Sequence, residues 1–147
     1  MSGKTDADIA DRRLEELLEM IKMKDEKGVK SIFSKKALDN ANNFDQQLNA
    51  LMSFFHGDVL SWERNGGPFV HETKDHDLLT KEASTWYKVN TTEQNYLFIF
   101  IECLKNTEQP NEVGLYTLRV IHPEDEQTQF ASWEAVKIPG IYTPPNN

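Results

Sequence analysis

The stretch FDQQLNALMSFFHGDVLSWER, residues 44–64, carries the change of pattern that decides the fold. Its first half spaces Phe44, Leu48, Leu51, Met52 and Phe55 three or four residues apart, which puts them on one face of an α-helix. Asn43 is suited to cap that helix and Gly57 to end it. From Val59 onward, apolar residues alternate or run together, as they do in strands. The helical pattern therefore stops at Phe55, and a strand pattern replaces it.

Toward the N-terminus the helical pattern persists. Thr5 with Asp8 three residues later forms a capping-box pattern, and Ala10, Leu14, Leu17, Leu18 and Ile21 make one apolar stripe. A shorter helix is predicted after Asp25, presenting Val29, Ile32 and Phe33, while Ser34–Asn42 reads as a polar connection.

Toward the C-terminus, Val59–Arg64 reads as a strand, Asn65-Gly66-Gly67-Pro68 as a turn and Phe69–Glu72 as a returning strand. His71–Lys81 has no clear pattern. Ala83–Thr91 alternates, with Thr85, Tyr87 and Val89 on one side and Ser84, Trp86, Lys88 and Asn90 on the other. Tyr96–Leu104 is apolar on both faces as far as Glu102 and is predicted to be central. Val113–Ile121 follows as another strand, and Gln129–Val136 as an edge strand. The tail Pro139–Pro145 is expected to be irregular.

Helices first and strands later predict an α+β fold, with three N-terminal helices packed on a curved antiparallel sheet. A single domain over residues 1–147 is expected, with flexible ends at 1–5 and 143–147. The pattern disfavours alternating βαβ units, and the glycine fingerprints of Rossmann and P-loop sites are missing.

Composition narrows the function. Twenty-four acids against sixteen bases give a net charge of −8, and the longest basic cluster is Lys35-Lys36, which disfavours a nucleic-acid surface. Cys103 is the only cysteine, so neither an internal disulfide nor a zinc site with two thiolates can form. The longest apolar run is strand-sized, so no membrane contact is expected of this chain. The first residues lack the apolar segment of a secretion signal. Either the chain is cytosolic, or it is a form from which a signal has been removed.

Among possible metal ligands, His71 and His76 are five residues apart, which separates them by about 140° on a helix and puts them on opposite faces of a strand. Neither a metal site nor a cofactor is expected. His56 and Asp58 flank Gly57 at the junction of helix and strand, where burial could tune them for proton transfer. With Tyr87 and Tyr116 they form the candidate acid–base set. Trp62 and Trp86 are the aromatic residues expected to be exposed, and so the candidates for a ligand or an interface.

Several short strings carry a family resemblance: Lys24-Asp25 leading to Ile32-Phe33-Ser34, Phe54-Phe55-His56-Gly57, and Tyr87–Thr91 leading to Tyr96. Gly114, Trp133 and Pro139-Gly140-Ile141-Tyr142 complete the set. On these residues the chain resembles the nuclear-transport-factor-two-like superfamily, with its cystatin-like, cone-shaped sheet around helices. It resembles more narrowly an uncharacterised family of small domains from Gram-positive bacterial lipoproteins. That resemblance implies a cone-shaped scaffold and an extracellular or cell-envelope lipoprotein whose signal has been removed, and it implies no chemistry. The expected function is non-enzymatic binding of a small ligand or a protein, through the cone cavity or the outer sheet face, with a homodimer through the sheet as one form. The alternative is a small-pocket isomerase or hydrolase using general acid–base catalysis.

Overall fold

A computed structural model describes residues 5–129 and 137–145. Four N-terminal helices, α1 (Asp6–Lys22), α2 (Glu26–Ser31), α3 (Lys35–Asn40) and α4 (Phe44–Phe54), precede the sheet. Its strands are β1 (Val59–Asp75), β2 (Leu78–Thr91), β3 (Asn95–Asn106), β4 (Gly114–Ile121) and β5 (Gly140–Tyr142), with a short helical turn, α5 (Glu126–Gln129), before the last. The five strands lie in sequence order, so β3 is central. The first three junctions are antiparallel.

The helix starts follow from the caps. Thr5 and Asp8 form the reciprocal capping box, Asp25 accepts from the Gly28 amide, and Asn43 accepts from the Gln46 amide. Each such bond satisfies a donor that the first helical turn leaves open.

Four expectations need correction. Ser34–Asn42 is not a connection, because Ser34 accepts from the Ala37 amide and caps α3, so the N-terminal helices number four. That helix has six residues and only Ala37 and Leu38 as apolar positions, too short for periodicity to register. Asn65–Pro68 does not reverse the chain. Two register shifts let β1 run through it as one strand, while the reversal comes at His76–Asp77. A bulge accommodates extra residues without ending the strand. β2 accordingly starts at Leu78, within the segment that showed no pattern. Finally, Gly140–Tyr142 is a strand and pairs parallel with β4, so the sheet is mixed at that edge. Gln47 Oε1 accepts from the Ile141 amide at 2.9 Å, and Arg119 stacks on the Tyr142 ring at 4.1 Å. Those long-range contacts hold a proline-rich tail that local pattern could not place. Beyond Gln129 the expected edge strand lies outside the described residues, and so does Trp133.

One cluster of buried side chains joins the helices to the sheet. Leu14, Leu17 and Ile21 of α1, with Leu48 and Leu51 of α4, pack with Tyr87, Phe98, Phe100 and Leu118 from the strands. Four polar links fasten α1 to the sheet, one of them the Arg64–Asp11 pair at 3.2 Å from β1. Asp6 pairs with Lys81 of β2 at 2.8 Å, and Tyr87 donates to Asp11 at 2.6 Å. Arg13 forks onto Glu102 of β3, Nε to Oε1 at 3.1 Å and the terminal nitrogen to Oε2 at 2.6 Å. Glu102 is 6% exposed, so its charge is tolerable only with that partner.

Replacing Arg13 with Ala strands the Glu102 carboxylate. The expected loss in urea denaturation is roughly 2–4 kcal/mol, below the full range for a wholly buried pair because the Arg13 side chain is 19% exposed. Replacing Arg13 with Met and Glu102 with Leu together is expected to restore most of it.

Candidate functional site

The space between helices and sheet is filled. Tyr87, Tyr96, Phe98 and Phe100 are at most 1% exposed, and a void of ≈ 10 Å³ lies beside Thr85 and Glu102. Open volume occurs instead at the rim, where the second half of α1 faces the α4–β1 junction. A cleft of ≈ 630 Å³ there is lined by Leu18, Ile21, Phe55, Val59 and Trp62, with Glu15, Glu19, Lys22, Lys24, His56 and Asp58 at its lips.

The junction is held by hydrogen bonds. The Tyr96 hydroxyl accepts from the His56 amide at 2.8 Å and donates to the Phe54 carbonyl at 2.9 Å. Thr91 donates to the His56 carbonyl at 2.8 Å, and the Asp58 amide donates to Thr92 Oγ1 at 3.0 Å. Gly57 has φ +93°, and a Cβ there would come 2.5 Å from Thr91 Oγ1. Only glycine takes both the left-handed backbone and the close approach. Lys24 closes the far lip by donating to the Met52 carbonyl at 3.1 Å. The backbone that carries His56 and Asp58 is thus pinned, while both side chains are exposed.

Of the residues singled out in the sequence, His56, Asp58 and Trp62 come together in this cleft. Tyr87 lies behind it, its ring 5.6 Å from Trp62 in an edge-to-face contact. Burial, followed by its hydrogen bond to the Asp11 carboxylate, holds the Tyr87 hydroxyl far above its ordinary range. It stays protonated at neutral pH. Tyr116 lies elsewhere, in a recess of ≈ 320 Å³ with His71, Glu82 and Cys103. Burial also raises the Cys103 thiol, which leaves it a poor nucleophile.

Neither tryptophan is freely exposed. Trp62 is half-buried at the cleft, and Trp86 is half-buried on the opposite sheet face against Leu97, Ile99 and Ile121. His71 pairs across β2 with Glu82, while His76 sits in the hairpin turn. Among the described residues no three His, Cys, Asp or Glu side chains converge as metal ligands, and no helix is long and apolar enough to cross a membrane.

The contribution of α1 to the cleft was not apparent in the sequence. Leu18 and Ile21 belong to the apolar stripe of α1, and Glu15 and Glu19 fall outside it. The cleft lies on the boundary between the two. Glu102, an acid closing a buried strand and therefore requiring a cation, signals a partner for β3 but lies outside the cleft.

Fold and site together define an α+β domain with four N-terminal helices, a five-stranded sheet and a cleft at the rim where they meet. The chain belongs to the family described as Domain of unknown function (DUF5104), which matches residues 16–123. The match takes in every cleft residue except Glu15. No curated protein matches the chain.

Two outcomes are expected. Replacing Gly57 with Ala should cost about 1–3 kcal/mol, from backbone strain and the clash with Thr91, as read by thermal or urea unfolding. Because the folded state raises the Tyr87 pKa, the stability it contributes is complete below the unfolded value of about 10 and is lost as pH rises above it. Unfolding followed across that alkaline range should show a shallower loss in the Tyr87→Phe variant than in the parent.

Proposed function

We propose that this protein is a non-catalytic ligand-binding domain whose site is the rim cleft. The observation that carries this reading is the convergence of His56, Asp58 and Trp62 on one ≈ 630 Å³ volume with an apolar floor and charged lips. That volume is in the range of small-molecule sites, commonly about 300–1,000 Å³. The ligand class that fits is a small molecule with a flat body for Trp62 and ionic groups at its edge. A backbone pinned by Tyr96, Thr91 and Thr92 favours binding, since little ordering is left to oppose it.

The cleft is a better candidate than the outer sheet face, because Trp86 is already engaged there by Leu97, Ile99 and Ile121. An acid–base enzyme would have to work with His56 and Asp58 alone, both in contact with solvent, as Tyr87 and Tyr116 do not line the cleft. For the scaffold we propose a nuclear-transport-factor-two-like relationship, supported by helices packed on one face of a bulged, mostly antiparallel sheet. A lipoprotein setting at the cell envelope rests on the resemblance of those short strings alone. Detection of the native gene product solely in the cytosolic fraction would count against it.

The binding reading can be tested with 8-anilinonaphthalene-1-sulfonate, an aromatic anion suited to an apolar floor flanked by Lys22 and Lys24. Saturable one-to-one binding is expected, weakened about tenfold or more by Trp62→Ala and by Glu19→Trp, which fills the cleft from an exposed position. Absence of saturable binding, or indifference to both substitutions, would overturn the assignment to this cleft.

A further inference from the structure

The two halves of β1 differ in a way the cleft does not explain. β1 is an edge strand of the sheet among the described residues. Its first half is irregular, with register shifts between Val59 and Ser61, Arg64 and Gly66, and Gly66 and Phe69. Irregularity of this kind, together with an edge proline such as Pro68, discourages pairing with another chain. The second half has neither a bulge nor a proline, and its protection is limited to the charges of Glu72, Lys74 and Asp75. From Phe69 to Asp75 the register against β2 is unbroken, and all seven residues are exposed. The helical layer does not cover this end.

We propose that the segment His71–Asp75 pairs antiparallel with the same segment of a second copy of this chain, joining the two sheets about a two-fold axis at Thr73. The charge pattern selects both the occupant and the register. Edge-to-edge antiparallel pairing puts residues of the same face opposite one another. Centred on Thr73, Glu72 meets Lys74 of the other copy, Lys74 meets its Glu72, and His71 meets Asp75. Sliding by one permitted step places Glu72 against Glu72 in one direction and Lys74 against Lys74 in the other. Like charges directly opposite are destabilising, so the charges favour the register centred on Thr73 over both of its neighbours. Five residues per copy make a small contact, and the association is expected to be weak and concentration-dependent.

The experiment is sedimentation velocity on the full chain over a concentration series up to its solubility limit, with charge-reversed variants. A monomer–dimer equilibrium is expected. Glu72→Lys and Lys74→Glu should each weaken it by about tenfold, because each puts two like-charged pairs across the axis, and the double reversal should restore it. All the substituted positions are exposed, and thermal unfolding of each variant checks that folding is intact. In a Cys103→Ser background, Thr73→Cys should form an intermolecular disulfide on mild oxidation, since paired Cα atoms about 4.5–5.5 Å apart allow one. Val70→Cys in the same background should not. A monomer at every concentration, a dimer indifferent to the single reversals, or a double reversal that fails to restore association would each overturn the proposal.

Discussion

The seat of α1 on the central strand is the constraint from which the rest of this structure follows. Burying Leu14, Leu17 and Ile21 against Phe98 and Phe100 supplies the apolar contact, but that contact is nearly indifferent to small slides along the sheet. The Arg13–Glu102 fork is directional and removes that freedom. Glu102 ends the apolar run of β3, and a carboxylate so placed has to be met by a cation. Asp6–Lys81 and Tyr87–Asp11 then fix the rotation of the helix against β2.

With α1 fixed, the position of the cleft is settled by where the helix stops covering the sheet. Its stripe residues Leu18 and Ile21 reach the edge of the core and line the open volume, facing Phe55, Val59 and Trp62. The opposite wall depends on α4 ending abruptly. Tyr96 takes up the Phe54 carbonyl and the His56 amide, and Phe55 stacks on its ring at 4.7 Å. A buried tyrosine with both hydrogen-bonding capacities used in this way allows the chain to turn from helix to strand without leaving polar groups unmatched. The tightness of Gly57 against the β2–β3 turn belongs to the same arrangement.

The two edges of the sheet are treated differently. β5 is short and is held by the amide side chain of Gln47 and by Arg119 stacked on Tyr142. β1 is long, irregular where it passes the cleft and regular beyond it. One strand thereby serves two purposes: its first half contributes Val59 and Trp62 to the cleft, and its second half extends the sheet into solvent.

The sequence by itself determined the fold class, the caps of the first, second and fourth helices, the central place of Tyr96–Leu104 and the alternation that puts Tyr87 and Val89 on one side of β2. These depend on spacing along the chain, and periodicity records which side of an element meets the core. It also singled out His56 and Asp58, because a glycine between a histidine and an acid at a change of pattern marks a junction, and Trp62 as an aromatic residue expected at the surface, which the fold half-buries. Only the tertiary structure decided that those residues share a cleft with α1, that Tyr87 is turned to Asp11, and that Tyr116 lies in another recess. The same holds for the continuous β1 and for β5, which exist because distant partners satisfy their backbone groups. A local pattern records burial but not the identity of the partner, and where contacts across many residues choose the partner, the chain alone carries no sign of it.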